Sequence, residues 1–118
     1  MKKFMAIYTG SPTSPQGARW AALDEKTRTE RTEAGMKAWH QWYADHADII
    51  AEGGGPLGKT KRTTSDGVAD IRNSLGGYTV IHAASHEAAA RLFENHPHFA
   101  IFPGDGVEIM EILPIPGM

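Results

Sequence analysis

Residues 75–94, LGGYTVIHAASHEAAARLFE, restrict the architecture more than any other stretch, because they read as one strand running into one helix. Gly76-Gly77 open a run, residues 78–83, that holds Tyr, Thr, Val and Ile, side chains that suit a pleated surface. Ser85 is placed to cap the helix that follows, its hydroxyl accepting an otherwise unpaired amide, and Glu87 sits at the positive end of the helix dipole. Ala88, Ala89, Leu92 and Phe93 then form an apolar stripe at helical spacing. The unit predicts a sheet with a helix on one face.

The rest of the chain supplies the remaining elements. Residues 3–9, KFMAIYT, form a strand with Phe4, Ala6 and Tyr8 on one face and Met5 and Ile7 on the other. Apolar side chains on both faces point to burial on both. Residues 10–17 are loop by composition. A long helix is expected over residues 27–51, with Thr27 and Glu30 at capping-box spacing and Asp24 as an alternative start. Trp39, Trp42, Tyr43, His46, Ala47 and Ile50 share one face of it and read mainly as packing. Gly53-Gly54-Gly55-Pro56 is expected to end that helix.

Residues 57–64 read as a polar edge strand, Asp66-Gly67 as a turn, residues 95–106 as a loop and residues 107–113 as the last strand. The resulting order, β-α-β-β-α-β, is the split βαβ, ferredoxin-like arrangement: a single α+β domain over residues 1–118 with an antiparallel four-stranded sheet and helices on one face. Two helices cover one face only. The second apolar face therefore predicts sheet-against-sheet packing of two copies, a homodimer.

Composition bounds the function. A chain of 118 residues suits one domain, and a formal charge of −2 with scattered basic residues gives no case for nucleic acid. No window approaches a membrane span, no secretory signal stands out, and a cytoplasmic protein is expected. The lack of cysteine excludes disulfides, thiolate ligands and a thiol nucleophile.

Asp66-Gly67-Val68-Ala69-Asp70 followed by Leu75-Gly76-Gly77-Tyr78 is similar to the DGPF-to-LGGY segment of the YCII-related family, with Val68 and Ala69 where that signature has Pro and Phe. Gly54-Gly55-Pro56 resembles the family's Gly-Gly-Pro stretch, and Val107-Glu108-Ile109 its closing acidic strand. The resemblance implies a dimeric α+β barrel with an active-site cleft. It also implies kinship with enzymes that act on chlorinated hydroxyquinones by acid–base lyase chemistry, in a family where many members have no established activity. A histidine on the first helix is proposed as part of a catalytic pair in some members, and His40 is the nearest match.

Several residues are candidates for chemistry. His96 and His98, two imidazoles in one loop followed by Asp105, suit proton transfer, although His96 at a helix C-terminus also suits capping. A His-x-His pair with a carboxylate is also a zinc pattern, a weaker reading that is not adopted, so no metal or cofactor is expected. Lys59 and Tyr78 on neighbouring strands would stabilise an enolate or phenolate, or serve only as an edge lysine and a packed tyrosine. Residues 53–60, GGGPLGKT, match the letters of a phosphate-binding loop but lack the helix that must follow. Ser85 is engaged as a cap and forms no triad with His86, and His46 on the aromatic stripe reads as packing. His82, alternating with Tyr78 and Val80, lines either the barrel interior or an interface.

Two functions follow. In the first, His96 or His98 moves a proton with Asp66 or Asp105 orienting it. Lys59, Tyr78, His40 and Asp105 then hold a small anionic aromatic or keto molecule, in a cofactor-independent lyase or isomerase. In the second, the chain is a non-catalytic dimeric module that binds a small molecule or a protein.

Overall fold

The computed structural model describes residues 1–118 throughout. β1 (Lys2–Thr9) is followed by α1 (Pro15–Ala21), α2 (Glu25–Asp45), β2 (Ile50–Pro56), β3 (Thr60–Thr64) and β4 (Gly67–Ile71). β5 (Leu75–Ala83), α3 (His86–Arg91), α4 (Pro97–Ala100) and β6 (Gly106–Glu111) complete the chain. The main sheet runs β2-β5-β1-β6, antiparallel throughout, and β3-β4 forms a separate two-stranded hairpin. The expected α+β, split βαβ architecture is present, built from β1, α2, β2, β5, α3 and β6.

Register explains where the core lies. Phe4, Ala6 and Tyr8 stand opposite Ile81, Thr79 and Gly77 on β5 and Glu111, Ile109 and Val107 on β6, so these side chains share a face. Trp42 from α2 and Ala89 and Phe93 from the α3 segment pack onto that face to form the core. Phe4 and Ile81 are fully buried. The opposite face presents Met5, Ile7, Val80 and Met110, with Glu108 opposite Ile7 and His82 opposite Lys3 at one end.

Local chemistry sets the helix ends. Asp24 caps α2, a carboxylate oxygen accepting from Thr27 N at 2.8 Å, so the alternative start prevails over Thr27. Ser85 caps α3 as expected, its hydroxyl accepting from Ala88 N at 3.1 Å. Ser14 caps α1, a short helix that begins inside the stretch expected as loop and runs beyond it, with Pro15 in its first turn, where a missing amide costs nothing.

α2 ends earlier than its sequence suggests. The helix stops at Asp45, where His46 turns its Nδ1 back to Trp42 O at 2.7 Å and stacks on the Trp42 ring at 4.4 Å. Ile50 and the glycines then belong to β2, not to the helix or its stop. Gly54 has a φ of 67°, and the β2-β5 register slips on either side of Glu52. The glycines therefore serve a bulged edge strand, which needs a residue free of Cβ at the kink. Residues 60–64, expected as a strand of the main sheet, pair instead with β4 around the Asp66-Gly67 turn.

Candidate active site

A cavity of about 430 Å³ opens between α2, the glycine strand β2, the start of β5 and α4. Met36, Trp39, His40 and Tyr43 approach it from α2. Their spacing is i, i+3, i+4, i+7, one continuous helix stripe, while Trp42 on the adjoining stripe enters the core. Gly53 to Pro56 and Gly76-Gly77 form the opposing wall in backbone rather than side chain, which leaves the space open. Tyr8, Tyr78 and His98 complete the lining, and no carboxylate lines it.

His98 reaches the cavity from α4. Its Nε2 lies 2.7 Å from Thr9 O, and since a carbonyl only accepts, Nε2 carries the proton and Nδ1 holds the lone pair. Burial lowers its pKa, the Thr9 carbonyl and the nearby Asp105 carboxylate oppose that, and the net direction is down. The ring lies against Gly104, where any Cβ would collide with it. His98 is thus a neutral, oriented imidazole at neutral pH.

Of the two roles open to His96, the structure shows the cap, though at a different helix end. Its ring is fully buried and does not line the cavity. Its Nδ1 accepts from His98 N at 3.0 Å, capping α4 at its start rather than the end of the preceding helix. Nε2 must then carry the proton of the neutral ring, and it has no hydrogen-bond partner. Trp39 stands edge-on to the ring at 4.7 Å, with Trp42 at 5.0 Å and Tyr8 at 5.2 Å. Desolvation first, then the neighbouring imidazoles of His98 and His46, bring its pKa down to about 4.

A hydroxyl chain runs along the floor. Tyr8 OH and Thr79 Oγ1 are 2.9 Å apart, Thr79 Oγ1 and Tyr43 OH 2.9 Å, and Tyr43 OH donates to Gly53 O at 2.7 Å. Burial holds the Tyr8 phenol well above its usual range. Tyr78 OH donates to Glu52 Oε1 at 2.5 Å, and that hydrogen bond raises its pKa.

The candidates therefore divide. His40, Tyr78 and His98 meet at the cavity, with His96 directly behind it. Asp105 is exposed beside His98, its backbone N donating to the same Thr9 O at 2.9 Å. Lys59 lies instead in an open groove at the root of the hairpin, and Asp66 is exposed at the hairpin turn, so neither lines the cavity. No group of three or more His, Asp or Glu converges in metal-binding geometry. Tyr8, Trp39, Tyr43 and Met36 were not singled out as site residues. The α2 spacing is the available signal, but the same stripe suits packing equally well.

Together these elements define an α+β protein of the split βαβ type, with an aromatic, imidazole-bearing cavity between its long helix and the edge of its sheet. No family model matches the chain, and no curated protein matches it in sequence. Among solved structures it is similar in fold to the 5-chloro-2-hydroxyhydroquinone dehydrochlorinase TftG from Burkholderia phenoliruptrix AC1100, in complex with 2,5-dihydroxybenzoquinone. The TM-score is 0.55 at 16% identity, over 94% of this chain and 93% of that one. At this identity the likeness is one of fold.

Proposed function

We propose that the cavity binds a small, flat, anionic aromatic or keto compound and that His98 moves a proton on it, in cofactor-independent lyase or isomerase chemistry. The observation that carries this reading is the oriented His98 imidazole, its Nδ1 lone pair free of the Thr9 bond, in a cavity walled by Tyr8, Trp39 and Tyr43. Flat aromatic walls suit a planar ring. A depressed imidazole pKa keeps the base in its accepting form at neutral pH, as general base catalysis requires. His40 supplies a second imidazole on the same cavity. The fold shared with a dehydrochlorinase supports the substrate class and is consistent with YCII-related ancestry.

The quaternary state belongs to the same reading. The apolar sheet face, with Met110 and Ile112 each about two-fifths exposed, is covered by a second copy in a homodimer.

The test is turnover of hydroxylated quinones and hydroxyquinols, with and without a halogen leaving group and without added cofactor. Removal of one proton-transfer group should lower kcat by about 10²–10⁴-fold, so His98→Gln should do so while the fold stays cooperative. Ligand binding without turnover across the panel would favour the non-catalytic module. Unchanged turnover in His98→Gln would overturn the assignment of the base.

A further inference from the structure

A second cavity of about 280 Å³ lies between α1, the start of α2 and the α4 turn, and it shares no residue with the first. Its apolar surface comes from Trp20, Leu23, Phe99 and Phe102, and its only charged residues are Arg19 and Arg31. Neither guanidinium makes an ion pair or a side-chain hydrogen bond. Helical spacing offers them no relief. The positions four residues away are Pro15 and Leu23 for Arg19, and Thr27 and Gly35 for Arg31. Arg28, the next guanidinium along α2, donates instead to the carbonyls of Ala21 and Leu23 at the end of α1.

The apolar floor is built, not incidental. Phe102 packs against Gly35 of α2, where a Cβ would lie 2.5 Å from its ring. Trp20 also packs on Phe102, the rings tilted with centroids 6.0 Å apart. α1 thus carries both an aromatic wall and a free cation into one concave site. A guanidinium pairs a carboxylate through two parallel hydrogen bonds, and an apolar floor beside it selects a carboxylate that bears a ring or short chain over a bare ion.

We propose that this cavity is a second ligand site, taking a small amphipathic carboxylate whose head is held by Arg19 and Arg31 and whose apolar body lies on Trp20 and Phe102. It is independent of the chemistry assigned to His98, and its volume suits a single ring.

The experiment is titration of the whole chain with benzoate, followed by the Trp20 indole N–H resonance at low salt, with benzamide and sulfate as parallel probes. Benzoate should shift that resonance saturably and bind at least tenfold more tightly than either comparison, since benzamide lacks the charge and sulfate lacks the ring. Arg19→Gln with Arg31→Gln should weaken benzoate at least tenfold and leave melting within a few degrees, both side chains being exposed. Equal binding of benzoate and benzamide would overturn the proposal, as would benzoate binding unaffected in the double variant. Sulfate matching benzoate would reduce the site to an adventitious ion only.

Discussion

His96 keeps an imidazole wholly out of water with one ring nitrogen unpaired, and this has a consequence for acid stability. The unfolded ring takes a proton near pH ~6.5, whereas the folded one does so only at about 4. Between those values the unfolded chain binds more protons, so stability is whole above the unfolded pKa and is lost as pH falls toward the folded one. The full effect is on the order of 3 kcal/mol. His98, also lowered, acts in the same sense. Thermal melts from pH 7.5 to 4.5 should show a steep decline in the native chain and a shallower one in His96→Leu; parallel curves would contradict this account. Gly54 gives a second test at this scale. Its φ of 67° and the collision of any Cβ with Tyr78 O predict that Gly54→Val fails to fold or melts far lower, whereas Gly53, whose Cβ meets nothing, should accept alanine with little loss. Circular dichroism melts would separate the two. At this scale the sequence revealed which side chains were chemically able and not which were near one another. His98 and His40 were legible as titratable groups, but the partner of His98 is a backbone carbonyl 89 residues away, which no local pattern encodes.

Among the elements, the strand-to-helix unit was readable because its signals are local: β-formers, then a Ser85 cap, then a buried Ala89 and Phe93. The end of α2 was not. Gly-Gly-Gly-Pro is a good helix stop, but the helix had already closed on His46, and pairing with β5 drew the glycines into the sheet edge. Tertiary pairing overrode a local stop signal. That shift displaced the expected edge strand into the β3-β4 hairpin, and with it Lys59 and Asp66 from the site. The hairpin is exposed along residues 61–70. Two strands without a sheet or helix to pack on are marginal by themselves, so the hairpin adds little to the fold of the chain. Replacing residues 59–72 by a short Gly-Ser linker should leave the melting temperature within a few degrees and leave hydroxyquinone binding intact. A loss of binding with the fold retained would return Lys59 or Asp66 to the site.

The chain is more extended than a compact one of its length. Only 17 of 118 residues are buried, and the radius of gyration is 16.2 Å against about 13.5 Å for a compact chain of this length. The fold was legible at this scale through counting faces: a sheet apolar on both sides with helices on one. The core does lie on the Phe4 face, leaving Met5, Ile7 and Met110 on the other. Glu108 stands opposite Ile7 on that second face, so a second carboxylate there should separate the copies of the proposed dimer: Ile7→Glu should elute as a folded monomer where the native chain elutes as a dimer in light-scattering chromatography. A native monomer would contradict the covered face.

The central claim concerns the cavity, and calorimetric titration with 2,5-dihydroxybenzoquinone in two buffers of different ionisation heat at pH 7.5 tests it most directly. The hydroxyls of this ligand are vinylogous carboxylic acids, ionised at that pH, so the ligand has no proton to give the base, and its anion beside the imidazole raises the affinity of that ring for a proton from solvent. The account predicts binding with net uptake of a proton in the native chain and a clear fall in that uptake in His98→Gln. Absence of binding, or proton-neutral binding identical in the two proteins, would contradict it.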